Sequence, residues 1–219
     1  MVAPPSDAEA AADENVNHPF FAFIFGLGSR LMICGEAKQR AELLADLFGD
    51  VIEVGCGAGV NFGFYPPEVS QVLAIEPERH LREQAERAAT QAAIRITVVD
   101  GLAANLPAPD ACFDAGVVSL VLCSVSDPAA ALAELMRVIK PGGELRFFEH
   151  VVANNHIGSA IQRGFDATIW PRLAGGCHCA RDTGATIREA GFLVESERRL
   201  ALKVPLPVIP QVVGIARRP

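Results

Sequence analysis

A chain of 219 residues, half of them apolar and 21% charged, is long enough for one sizeable core and too short for two independent catalytic domains. Its 26 acidic and 19 basic side chains, a formal charge of -7, leave no basic surplus to collect phosphates, which argues against nucleic acid as a partner, as do the single Trp and single Tyr. A mean hydropathy of +0.26 and the lack of an internal period exclude wholesale disorder and repeat architectures.

Residues 1–17, MVAPPSDAEAAADENVN, have neither the basic start nor the apolar stretch of a secretory signal. They read as a flexible acidic tail, and the expected compartment is the cytoplasm. Cys34, Cys56, Cys112 and Cys123 are widely separated in a chain that needs no staples, so free thiols are expected. The most apolar window, Phe20 to Ile33, is interrupted by Gly26, Gly28, Ser29 and Arg30 and falls short of the roughly 20 residues that span a bilayer. No transmembrane segment is predicted, although peripheral contact with a membrane is compatible with it. Apolar residues recur at three and four from Phe20 to Phe48, which predicts one or two amphipathic helices broken at Gly35. Residues 18–49 thus form an amino-terminal cap on a single domain, 18–219.

Strands and helices then alternate. Apolar runs predict strands at Val51–Val54 and Val72–Ile75, and a charged helical stretch runs from Pro77 to about Ala93. Further strands are predicted at Ile94–Val99 and Ala115–Leu122. Asp127 and Pro128 read as N-cap and first residue of a helix to Ile139, which Lys140-Pro141-Gly142-Gly143 ends before a strand at Glu144–Glu149. The alternation pauses over 151–182, a length of loop that points to an active-site cover. A helix from Thr183 to Gly191 and strands at Phe192–Leu200 and Gln211–Ala216 complete the chain. Such an order predicts an α/β fold with a mostly parallel sheet, and the last pair, joined without a helix, predicts one antiparallel strand.

Three alternate glycines follow the first strand in Glu53-Val54-Gly55-Cys56-Gly57-Ala58-Gly59-Val60-Asn61. Glycine admits a ligand where a Cβ would collide. A dinucleotide-binding turn needs its third glycine at Val60, and a Walker A loop needs Gly-Lys-Ser/Thr, so neither motif is present. Glu76 and Asp100 each end a strand on the edge where open α/β sheets bind ligands. Glu76 can accept both hydroxyls of a ribose and Asp100 the exocyclic amine of adenine; helix capping or solvation is the alternative for each.

These residues resemble the class I S-adenosylmethionine-dependent methyltransferases of the small-molecule, methyltransferase type 11-like kind. Glu53 to Gly59 is similar to that family's first motif, Glu76 to its ribose-binding acid, Asp100-Gly101 to its adenine-side motif, and Val138 to Gly143 to the segment before strand five. The resemblance spans about Asp50 to Ala216 and implies a Rossmann-like seven-stranded sheet of order 3-2-1-4-5-7-6, strand 7 antiparallel, with helices on both faces. Val121-Leu122-Cys123-Ser124-Val125, Glu149-His150, Gly176-Cys177-His178 and Arg181-Asp182-Thr183 resemble the branch holding the methyltransferase-like thiol methyltransferases and their bacterial relatives. Animal members of that branch carry an amino-terminal membrane anchor, where this chain shows only the interrupted Phe20–Ile33 stretch.

The resemblance implies S-adenosylmethionine as cofactor and S-adenosylhomocysteine as product. It implies a binding site of Glu53, Gly55, Cys56, Gly57, Gly59, Asn61, Glu76, Pro77, Asp100, Gly101, Leu102, Ser119 and Leu120, with Glu53 bonding the glycine loop or the cofactor's amino group. His150 and His178 are the candidate catalytic residues, as base or substrate orienter, against a purely structural role. Phe21, Phe25, Cys123, Cys177 and Arg181 are the expected substrate pocket. Displacement at a sulfonium requires no metal, and Cys177-His178-Cys179 lacks the second ligand cluster of a common zinc site, so none is expected. Arg181 and Asp182 are expected to pair, with Asp182 capping the next helix.

The chain lacks the polar-Pro-Pro-aromatic motif of nucleobase-amine enzymes after strand four. A small, fairly apolar thiol is the first choice of acceptor, and a lipid amine or quinone-type carbon the alternative. A cofactor-binding regulatory protein without turnover is the competing class. A monomer or homodimer is expected.

Overall fold

The computed structural model describes residues 36–168, 170–200 and 209–219. The expected tail, the cap up to Gly35 with Phe21 and Phe25, and most of the Pro-rich segment before the last strand lie outside the described residues. A helix over 36–44 (α1) precedes the sheet. It leads into β1 (Gly49–Val54), β2 (Val69–Ile75), α2 (Arg79–Ala89), β3 (Arg95–Val99) and β4 (Phe113–Ser119). Then follow α3 (Pro128–Val138), β5 (Ile139–His150), α4 (His156–Asp166), α5 (Trp170–Leu173), α6 (Thr183–Glu189), β6 (Leu193–Leu200) and β7 (Gln211–Arg217).

The seven strands lie in the order β3-β2-β1-β4-β5-β7-β6. β1 to β5 pair in parallel, and β7 runs antiparallel to both β5 and β6. The resemblance implied this order. Because successive side chains on a strand point to opposite faces, the unbroken apolar runs of the central strands fill two cores at once. Ile52, Val54, Val118 and Phe147 pack with Leu132 and Leu135 of α3 on one face. Val51, Val72, Val117 and Phe148 pack with Leu43 and Leu44 of α1 on the other. Phe147 and Phe148 are both fully buried, each contributing about 1.5–3 kcal/mol.

Local signals set the helix ends. Asp127 accepts from Ala130 N at 3.0 Å to cap α3, with Pro128 first in the helix, and Asp182 accepts from Ala185 N at 3.1 Å to cap α6. Three expectations are corrected. β4 stops at Ser119 rather than Leu122, because Leu120 turns into the left-handed region (φ 61°). β5 starts at Ile139, not Glu144, since Ile139 already pairs with Phe113 across a register shift. The pause over 151–182 contains α4, capped by Asn155, which accepts from Gly158 N at 2.7 Å. Its Ile157, Ile161 and Phe165 recur at helical spacing, but the helix exposes them and buries Ser159 and Gln162.

Candidate functional site

The carboxyl ends of β1 and β2 carry the glycine loop. Gly55 N and Cys56 N both donate to Ile75 O, at 2.8 and 3.1 Å, tying the loop to its neighbouring strand. Gly55, Gly57 and Gly59 all have positive φ (69°, 56° and 77°), a conformation that costs other residues about 1–2 kcal/mol. A Cβ on Gly55 would sit 2.5 Å from Val121 Cγ2. Glu76 closes the loop from below, accepting from Gly57 N at 2.8 Å and from Glu78 N at 2.9 Å. Its burial pushes the carboxyl upward in pKa, and those two amides partly oppose the shift. A carboxylate has about four lone-pair sites, so two remain for a ligand's hydroxyls.

Glu53 reaches the far end of the glycine loop, accepting from Asn61 Nδ2 at 2.8 Å, and it also accepts from the Tyr65 hydroxyl at 2.7 Å. Burial raises its pKa to about 7, against the bonds from Tyr65 and Asn61 and the charge of Arg40. Arg40, on α1, donates to Asn61 Oδ1 at 2.8 Å, to Ser119 Oγ at 3.1 Å and to Glu36 Oε2 at 2.8 Å. Gln211 donates to the other oxygen of Glu36 at 3.0 Å. A buried polar chain therefore joins β7, α1, the end of β4 and the glycine loop. Sequence reasoning missed Glu36, Arg40, Tyr65 and Gln211; the i,i+4 spacing of Glu36 and Arg40 was the available signal.

Asp100 sits at the end of β3 with its side chain 71% exposed, accepting from Arg82 Nη1 at 3.1 Å. The same Arg82 nitrogen bonds the carbonyls of Glu76 and Pro77. A Cβ on Gly101 would press on Ile75 and Pro107, at 3.0 and 3.1 Å, and Leu102 bridges to Asn105. Cys56 is buried, and that burial holds its thiol well above the ordinary pKa. A cavity of about 200 Å3 lined by Leu47, Asp114, Lys140 and Arg217 lies at the amino ends of β4 and β5, away from this edge.

Beyond β4, Leu120 N donates to Phe148 O at 2.7 Å, and the next three amides turn onto one side chain. Val121, Leu122 and Cys123 donate to the fully buried Glu149 at 2.9, 3.0 and 3.1 Å. Burial raises the Glu149 pKa, and the three amides oppose it. Arg181 clamps the same turn, donating to Leu122 O and Val125 O, both at 2.7 Å. It thus bonds backbone carbonyls instead of forming the expected pair with Asp182.

That turn brings three donors together. Cys123 Sγ lies 3.7 Å from His150 Nδ1 and 3.9 Å from Cys177 Sγ, and Cys177 Sγ lies 3.3 Å from His150 Nδ1. Cys177 beside it, burial and the Glu149 charge hold the Cys123 thiol well above its ordinary pKa. Burial works against a charged His150 imidazole, yet the bond to Cys123 and the charges of Glu149 and Glu36 raise its pKa. His178 joins through its backbone, its amide donating to Cys123 O at 2.7 Å. Cys179 points to Asp166 Oδ1 at 3.2 Å, and burial with that carboxylate pushes its thiol up to about 12. The sequence triplet Cys177-His178-Cys179 is therefore split by the fold.

Comparison with known proteins identifies the family and the fold. The family described as "Methyltransferase domain" matches residues 52–147. Thiol S-methyltransferase TMT1B of Rattus norvegicus is 38% identical over 197 residues, covering 83% of this chain and 78% of that protein. A putative methyltransferase from Bacillus halodurans superposes with a TM-score of 0.70 at 16% identity, covering 84% of this chain and 99% of that one. The N-methyltransferase NodS from Bradyrhizobium japonicum, solved with S-adenosyl-L-homocysteine, gives 0.66 at 17% identity, covering 84% of this chain and 87% of that one.

Proposed function

Because the chain belongs to the class I S-adenosylmethionine-dependent methyltransferases, we propose that it methylates the sulfur of a small, fairly apolar thiol. The observation that carries this choice of acceptor is the 38% identity to a thiol S-methyltransferase over most of both chains. S-adenosylmethionine is the methyl donor, and when bound it supplies a methyl group on a sulfonium whose departure leaves S-adenosylhomocysteine.

The chain's own residues fit that donor. In this reading the Cβ-free glycines at 55, 57 and 59 leave room for its amino-acid tail, with Cys56, Asn61, Ser119 and Leu120 around them. Glu76, already clamped to the loop, accepts the ribose hydroxyls, flanked by Pro77. Asp100 accepts the adenine amine beside Gly101 and Leu102. In-line displacement then needs alignment and exclusion of water more than a protein nucleophile. A thiol with a reference pKa near 8.5 supplies some anion near neutrality without a positioned base.

Cys123, His150 and Cys177 face the acceptor in this proposal, and 151–182 is its cover. Free thiols at all five described cysteines support a reducing compartment, the cytoplasm, where we place the protein as a monomer or homodimer. Among the described residues no helix is long and apolar enough to cross a membrane.

A methyl-transfer screen with S-adenosylmethionine over alkyl thiols, phospholipid amines and demethylated quinones tests the acceptor. The expected product is a thioether, formed one for one with S-adenosylhomocysteine. Turnover confined to an amine or a ring carbon overturns the thiol. Calorimetry on Glu76→Ala tests the cofactor site. Losing charged hydrogen bonds of roughly 1.5–3 kcal/mol weakens donor binding about 10–100-fold, and unchanged affinity removes Glu76 from the ribose.

A further inference from the structure

Cys123, His150 and Cys177 are spaced like the edges of a coordination tetrahedron. Zinc bonds of about 2.3 Å to sulfur and about 2.0–2.1 Å to imidazole nitrogen require separations of about 3.8 Å between sulfurs and about 3.6 Å from sulfur to nitrogen. The three observed separations are 3.9, 3.7 and 3.3 Å. No other group of three His, Cys, Asp or Glu side chains among the described residues converges in this way.

Each donor is positioned from outside the cluster. The turn bearing Cys123 is fastened by Glu149 and Arg181. His150 ends β5 opposite Gln211, and its carbonyl accepts from Thr183 Oγ1 at 3.1 Å. Cys177 is fixed by its amide to Ala174 O at 3.1 Å and by the following amide to Cys123 O at 2.7 Å. Two sulfurs and an imidazole form a borderline-soft donor set, and two thiolates balance a doubly charged cation, so the loaded site is neutral where it is buried.

We propose that Cys123 Sγ, His150 Nδ1 and Cys177 Sγ bind a zinc ion whose fourth position takes the sulfur of the acceptor thiol. The site itself stands on the geometry; its fourth ligand rests on the thiol reading above. Zinc with three protein ligands is the arrangement that leaves a position for substrate. The cluster also lies beside the donor loop, since Val121, which a Cβ on Gly55 would strike, is two residues before Cys123. Coordination releases the thiol proton to solvent. The zinc-held sulfur then forms its bond to the methyl carbon with its own electron pair. The old carbon–sulfonium bond breaks, and its pair stays on S-adenosylhomocysteine. The neutral thioether, a poorer ligand than a thiolate, leaves the metal, and no net oxidation occurs.

The test titrates the reduced, metal-stripped full chain with Co2+ as a spectroscopic substitute for zinc. One cobalt per chain is expected, with a thiolate charge-transfer band and tetrahedral ligand-field bands that Zn2+ displaces. Cys177→Ser and Cys123→Ser should each weaken binding by more than the roughly 10–100-fold cost of disturbing an outer-shell partner, with far-UV circular dichroism unchanged. Cys112→Ser should leave it intact. An added alkyl thiol should shift the ligand-field bands.

Absence of one-to-one binding, or binding indifferent to Cys177→Ser, overturns the site. So does a Cys123–Cys177 disulfide in a protein that takes up no cobalt when reduced, which would make the pair a redox couple instead. Ligand-field bands that ignore the thiol overturn the fourth position, as does thiol methylation at full rate in the stripped protein. Cobalt held by the triad with no thiol methylated overturns the thiol reading while supporting the metal.

Discussion

Arg40 Nη1 lies 2.8 Å from Asn61 Oδ1, and through that bond the helix preceding the sheet grips the far end of the glycine loop. The Arg40 side chain is 4% exposed, and its guanidinium also pairs with Glu36 at 2.8 Å. Removing one partner of a buried pair leaves the other uncompensated, at about 3–5 kcal/mol. Arg40→Met should therefore lower the urea midpoint with an unchanged slope and weaken donor binding. The double variant Glu36→Gln, Arg40→Met should lose less than the sum of the single losses. Strict additivity would show that the two side chains do not act as a pair.

Gly55 and Gly63 should respond in opposite ways to alanine. At Gly55 the added Cβ meets Val121 at 2.5 Å and the residue is held at φ 69°, so stability falls by more than the roughly 1–2 kcal/mol of the left-handed conformation alone, and donor binding fails. At Gly63 an added Cβ meets nothing within 4 Å among the described residues beyond its chain neighbours, and Gly63→Ala should be neutral or slightly stabilising. Thermal melts and calorimetry on both variants check the contrast, and equal effects would contradict it.

Glu53 makes stability depend on pH. Its pKa of about 7 in the folded protein lies above the ordinary 4.5, so between those values the native state holds a proton that the unfolded chain has released. The stabilising contribution is complete below the unfolded value and is lost as pH rises through about 7. Glu53→Gln keeps the neutral shape without the titration. Its stability relative to wild type should rise between pH 5 and pH 8, by about 3 kcal/mol at most. A constant difference across that range would show that Glu53 does not carry the shift.

Glu149 is expected to be structurally indispensable. Glu149→Ala orphans three buried amides, each at about 1–3 kcal/mol, so unfolding at ordinary temperature or a collapse of the denaturation midpoint is the expected result. Glu149→Gln retains one acceptor oxygen but sets an amide N–H₂ against backbone donors, and should fall between alanine and wild type. Hydrogen exchange at residues 121–123 reads the effect locally; unchanged protection in the alanine variant would count against the clamp.

The alternation of apolar runs with capped helices determined the sheet and its parallel core. Those signals are local: a buried strand needs consecutive apolar residues, and Asp127-Pro128 or Asp182 starts a helix by bonding its own backbone. The glycine loop was legible because a backbone that must approach a ligand cannot carry Cβ atoms, and Glu76 because it ends a strand on the ligand-binding edge of the sheet. Long-range pairing, by contrast, leaves no mark on spacing. Arg40 is 79 residues from Ser119 and Cys123 is 54 from Cys177, and only the assembled fold brings each pair within bonding range. Cys177-His178-Cys179 is a contiguous triplet in the sequence, where it reads as no zinc site. The tertiary structure instead divided it, turning Cys177 to His150 and Cys179 to Asp166, because the Glu149-anchored turn and α4 each drew the chain from a different side.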